Sequence, residues 1–309
     1  MLNRRQFLFT AGVAAYAAPA ALTSRERVDR ALAGKDVDRS PFSFWYHFLD
    51  EAKPGAAHAA STLAFHRRFH TDVIKVMSDY KFPKGAKINP YPEQIKALEI
   101  IHKEVGKSAH FLETAFNPWN VAEKMSSPKD VLKMKAEKPQ QLLDLLESIA
   151  KAEADHAKRA IAAGASGIFL AIANAQPEIL PPADYARFSE PFDRMMLDAV
   201  NSAPMNTLHL HGDHVYLDRF YSGWPTSVVN YSTHGTHVKM TDARAKFSAV
   251  LMGGIDEVNY RKLDKATLKS QWASARKAVG PKFILAPGCS VPNDSTDAEM
   301  LRLTEVVRS

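Results

Sequence analysis

The chain has 309 residues, 46% hydrophobic and 24% charged, with 40 Lys and Arg against 34 Asp and Glu for a net charge of +6. That composition excludes disordered, collagen-like and coiled-coil classes, and the length allows two medium domains or one large α/β barrel. A single cysteine, Cys289, excludes an intrachain disulfide; no apolar run is long enough for a multi-span membrane protein, and no basic run interleaved with aromatics points to nucleic acid.

The chain opens Met1-Leu2-Asn3-Arg4-Arg5-Gln6-Phe7-Leu8-Phe9, continues through an alanine-rich stretch and reaches Ala18-Pro19-Ala20. A charged start, a weakly apolar middle and a small-residue site read as a signal peptide, and Arg4-Arg5 followed by Gln-Phe-Leu reads as the twin-arginine type. Residues 1–20 are therefore expected to be removed. The export machinery is then a partner, the destination is periplasmic or otherwise outside the cytoplasm, and no stable membrane anchor remains. Arg4 and Arg5 are the only charges in that segment, so the mature chain carries +4.

Beyond it, short apolar runs alternate with helical patterns. Strands are predicted over 41–47, 72–77, 109–116, 167–171, 207–211, 227–231, 249–253 and 282–286. Helices are predicted over 92–105, 138–163, 182–200, 265–279 and 298–307, with Pro182 in a first turn and Asp297 as the cap of the last. The stretch 120–163 should break near Ser126-Ser127-Pro128 and Lys138-Pro139. Several strands lack alternation, as buried parallel strands do. Eight β/α units point to a single (β/α)8 TIM barrel over residues 21–309. A doubly wound sheet is the alternative, but no Gly-x-Gly-x-x-Gly and no P-loop occurs to support a nucleotide role.

In a barrel, chemistry belongs to the C-terminal strand ends. His209 and His211, two apart on the fifth predicted strand, point the same way, while Leu208 and Leu210 face the helices. Cys289 follows Pro287-Gly288 at the end of the eighth. Two imidazoles and a thiolate suit Zn2+ with one position left for water or substrate, and would also accept Co2+ or Ni2+. Asp79 and Tyr80, after the second strand, either cap it or supply an acid/base or orienting group. His234 and His237, after the sixth, are either solvated loop residues or proton carriers.

Those blocks resemble the uroporphyrinogen decarboxylase family, whose superfamily includes zinc-dependent corrinoid methyltransferases and cobalamin-independent methionine synthase. The likeness runs from Ser24-Arg25-Glu26-Arg27-Val28 through Asp72-Val73-Ile74-Lys75-Val76-Met77 and Glu190-Pro191-Phe192. It is strongest at Leu208-His209-Leu210-His211-Gly212, Gly253-Gly254-Ile255-Asp256 and Ala286-Pro287-Gly288-Cys289-Ser290. The resemblance implies the barrel fold. In the decarboxylase branch an arginine-rich segment after the first strand holds a polycarboxylate tetrapyrrole; here that stretch reads Phe44-Trp45-Tyr46-His47-Phe48-Leu49-Asp50-Glu51, without arginine. In the methyltransferase branch a His-x-Cys and a later Cys hold zinc; His209 and Cys289 match, and His211 replaces the first cysteine. The implied function is zinc-dependent methyl or other one-carbon transfer on a small substrate, with a corrinoid partner and a homodimer as further expectations. The alternatives are a decarboxylase acting on a tetrapyrrole and a non-catalytic metal- or corrinoid-binding protein.

Overall fold

Runs such as Val73-Ile74-Lys75-Val76 and Gly167–Ile172 are buried along their whole length, so the sheet they form is covered on both faces. The computed structural model describes residues 21–48, 54–78 and 80–308. The expected signal, residues 1–20, and Asp79 lie outside them. In chain order the described elements are α1 (Ser24–Leu32), α2 (Gly55–Phe69), β1 (Val73–Val76), α3 (Pro92–Val105), β2 (His110–Phe116), α4 (Pro118–Met125), α5 (Pro128–Glu137), α6 (Pro139–Ala162), β3 (Gly167–Ile172), α7 (Pro182–Phe188), α8 (Glu190–Asp198), β4 (Thr207–Leu210), β5 (Val228–Tyr231), α9 (Thr233–Thr236), α10 (Met240–Arg244), β6 (Val250–Ile255), α11 (Lys265–Val279), β7 (Phe283–Pro287) and α12 (Asp297–Arg308).

Among the described residues the sheet has seven strands, all parallel and in sequential order from β1 to β7. Alternation along each strand divides the core. One set, including Val73, Leu112, Phe169, Val228, Val250 and Ile284, packs inside the curl. The other, including Ile168, Leu208, Leu210, Val229 and Leu251, meets the helices. Among the described residues no helix is long and apolar enough to cross a membrane.

The expected first strand, 41–47, is not a strand; one parallel bridge, Phe42 to Leu285, is all that is assigned there. The segment is nonetheless fastened on both sides. Ser43 N–H donates to the Leu285 carbonyl at 2.9 Å and Leu285 N–H to the Pro41 carbonyl at 2.8 Å. On the β1 side, Asp72 N–H donates to the Phe42 carbonyl at 2.8 Å, and Phe42 N–H donates to Asp72 Oδ2 at 3.0 Å. Pro41 has no N–H to give, and the Asp72 carboxylate takes the donor that a ladder would use. That carboxylate is buried and ion-paired with Arg27 and Arg39.

The break in 120–163 falls as read, giving α4, α5 and α6, each with proline in its first turn. The helix expected over 182–200 divides at Ser189 into α7 and α8, because Pro191 has no N–H to give the Arg187 carbonyl and a continuous helical ladder cannot run through it. The cap of α12 is Thr296 rather than Asp297. Glu299 N–H donates to Thr296 Oγ1 and Thr296 N–H to Glu299 Oε2, a reciprocal capping box.

Candidate metal centre

β4 delivers the two histidines. His209 lies buried on the inner face and His211 emerges one turn of the pleat later, at the exposed rim. The chain then turns at Gly212, where φ is +107° and Gln176 Nε2 donates to the His211 carbonyl at 2.8 Å. That φ favours glycine, and a Cβ there, 1.6 Å from the same nitrogen, would also push the Gln176 amide off the carbonyl. The thiol arrives from β7. Gly288 lies so close to Ser232 that a Cβ would sit 2.3 Å from its Cα. Gly288 N–H donates to Glu257 Oε2 at 3.0 Å, and Ser232 Oγ donates to the other oxygen of the same carboxylate. The turn is clamped, and Cys289 Sγ stands 3.2 Å from His211 Nδ1. One ligand atom from each of His209, His211 and Cys289 lies within 4.8 Å of the others.

Asn230, fully buried on β5, sets the tautomer of His209. Its Nδ2 faces two main-chain carbonyls, Met252 at 2.8 Å and Pro287 at 3.0 Å, which uses both amide hydrogens. Its Oδ1 must therefore accept, and it does so from His209 Nδ1 at 2.6 Å. With the proton held on Nδ1, His209 Nε2 carries the lone pair that a metal needs. Burial disfavours ionisation of the Cys289 thiol, but the neighbouring imidazoles of His209 and His211 outweigh it and bring the thiol down to about 4. The same contact, with the ring N–H of His211 donating to the sulfur, pushes the His211 imidazole up, against burial. Two nitrogens and a sulfur, convergent and one ligand short of a tetrahedron, fit zinc and leave a position open.

The cluster stands at one side of a cavity of about 490 Å³, a size suited to a small molecule. Phe169 lies under His209, ring centroids 4.9 Å apart, and Trp45, Phe116 and Met77 line further wall. Of the other predicted site residues, none of the described three lines this cavity. Tyr80 packs edge-on to His58 at 6.0 Å. His234 is exposed on α9, and His237 is exposed just after it in a left-handed conformation, 6.5 Å from the ring of His214. Sequence reading missed Asn230 and Glu257, which brace the cluster, and Lys75 and Thr114, which line the cavity. The available signal was a polar residue at an inward position of an otherwise apolar strand.

Comparison with known proteins agrees with this fold. A family model described as uroporphyrinogen decarboxylase (URO-D) matches residues 68–309. No curated protein matches the sequence. Among solved structures, a methyltransferase from Methanosarcina mazei is 17% identical, with a TM-score of 0.76 over 93% of this chain and 99% of its own. A B12-independent methionine synthase from Shewanella sp. W3-18-1 is 13% identical, with a TM-score of 0.55 over 87% and 93%. A putative vitamin-B12 independent methionine synthase from Listeria monocytogenes is 12% identical, with a TM-score of 0.56 over 87% and 95%. At these identities the likeness is one of fold.

Proposed function

The chain belongs to the uroporphyrinogen decarboxylase (URO-D) family, and on that premise we propose that it is an exported, zinc-dependent enzyme transferring a methyl or other one-carbon group on a small substrate. The observation that carries the reading is the convergence of His209, His211 and Cys289 within 4.8 Å at the edge of a substrate-sized cavity. What zinc supplies in such a set is Lewis acidity, which favours the deprotonated form of a thiol or hydroxyl in its open position. The remaining work falls to the protein. Asn230 holds His209 in the ligating tautomer, Glu257 fixes the Gly288 turn, and the rings of Trp45, Phe116 and Phe169 keep water from the reacting end of the substrate. The structural likeness to a methyltransferase and to methionine synthases supports methyl transfer as the class. The tetrapyrrole reading is the weaker one, because residues 44–48 carry no arginine to hold a polycarboxylate.

Metal analysis of the purified mature protein tests the centre. About one equivalent of zinc is expected, falling sharply in Cys289→Ala; less than about 0.2 equivalents in both proteins refutes the reading. The export step is tested by an Arg4→Lys, Arg5→Lys double variant, which should stay in the cytoplasm; unchanged export removes the twin-arginine assignment.

A further inference from the structure

Lys75 stands in the middle of β1, flanked on the same face by Val73 and Met77 of the inner core, and is only 8% exposed. Its ammonium lies 4.7 Å from the Phe169 ring centroid, 5.4 Å from that of Trp45 and 3.0 Å from Met77 Sδ. Both rings turn a face to the cation, which holds it in a desolvated position. On the neighbouring strand, Thr114 is 2% exposed, and its Oγ1 has no hydrogen-bond partner among the described residues. The register pairs Lys75 with Leu112 and Thr114 with Phe169, and Leu112 and Phe169 both face the interior. Lys75 and Thr114 therefore share the inward face, and both line the cavity that holds the metal cluster. A buried hydroxyl without a partner is costly unless something brings an acceptor to it.

We propose that Lys75 and Thr114 form an anion subsite that receives the carboxylate of a short-chain acid whose other end reaches His209, His211 and Cys289. The subsite stands on Lys75 and Thr114 alone; what the far end does there rests on the proposed function. Two donors, one charged and one neutral, match the two oxygens of a carboxylate. A phosphate or sulfonate would bring a third oxygen with no donor assigned to it. The Phe169 ring lies 4.7 Å from the ammonium and 4.9 Å from the His209 ring, so one side chain bridges the two ends and the acid is small, on the order of an amino acid in length.

The test titrates 3-mercaptopropionate and its neutral isostere 3-mercaptopropionamide calorimetrically into zinc-loaded and chelator-stripped protein. Wild type should prefer the acid by about tenfold or more in both forms, and Lys75→Met should reduce that preference to within about twofold. Thr114→Val should weaken the acid by about threefold or more, leave the amide unchanged and keep the melting temperature at or above wild type, since it replaces an unpartnered hydroxyl by a methyl of the same shape. That second variant serves if Lys75→Met does not fold. Zinc content should be unchanged in both. Equal binding of acid and amide, no binding of either, or a preference that survives Lys75→Met overturns the subsite. If the acid preference depends on Lys75 but the protein takes up no zinc, the subsite stands and the metal reading falls. If zinc binds and the acid preference is missing, the reverse holds.

Discussion

Replacing Asn230 by alanine removes one amide and strands three partners: His209 Nδ1 and the carbonyls of Met252 and Pro287. All lie in the interior, where an unsatisfied polar group costs about 1–3 kcal/mol, so the variant should lose roughly 2–4 kcal/mol of stability and still fold. The larger consequence concerns metal. Without its acceptor, the buried imidazole of His209 no longer has its proton fixed on Nδ1, and Nε2 is no longer committed as a ligand. Loss of such an orienting partner typically weakens binding by about 10–100-fold, equivalent to roughly 1.4–2.7 kcal/mol. Competition for zinc against a chromophoric chelator reads the affinity directly, and a urea titration of the same preparation establishes that the variant is folded. An affinity within about twofold of wild type, in folded protein, would refute the assignment of the tautomer to Asn230.

Asp72→Ala should be among the most destabilising substitutions outside the site. It removes the shared anion of Arg27 and Arg39 and the acceptor of Phe42 N–H, with an expected loss of about 3–5 kcal/mol in urea unfolding; a loss below about 1 kcal/mol contradicts the buried ion-pair account. Glu153, buried on α6 beside Tyr91 and His156, should give stability a negative pH slope. Burial pushes its carboxyl up to about 7, so the folded protein holds a proton that the unfolded chain releases from about pH 4.5 upward. Its contribution is fully present below the unfolded value and is lost as pH rises toward 7. The upward shift of His156, where burial is outweighed by the hydrogen bond to Glu113 and its charge, acts with the same sign. Glu153→Gln should therefore gain on wild type between pH 5 and pH 8, by on the order of 2–3 kcal/mol in urea titrations; a constant difference contradicts the assignment.

The parts of the molecule that were legible in sequence are those fixed by local spacing. Prolines at 128 and 139 cut the long helical stretch where they should, and the i, i+2 placement of His209 and His211 put both imidazoles on the inner face. Where a side chain displaced a backbone partner, local reading failed. The carboxylate of Asp72 took the place of a ladder acceptor at Phe42, so the first strand reduced to a bridge. Thr296 won the cap of α12 because Glu299 answers it from three residues on, whereas Asp297 has no such partner. Lys75, Thr114 and Asn230 looked like ordinary interruptions of apolar runs. Their meaning comes from register, which places residues from four different strands around one cavity, and register is a property of the assembled sheet.

The amide of Asn230 touches β4 through His209, β6 through the Met252 carbonyl and β7 through the Pro287 carbonyl, while sitting on β5 itself. It works as a rivet through four neighbouring staves. A slip of any one stave would be transmitted to the imidazole within a single bond length, so the curvature of the sheet and the aim of the ligand cannot be adjusted independently. Variation in what such a scaffold accepts is then left to the rim turns and the cavity lining, while the staves stay still.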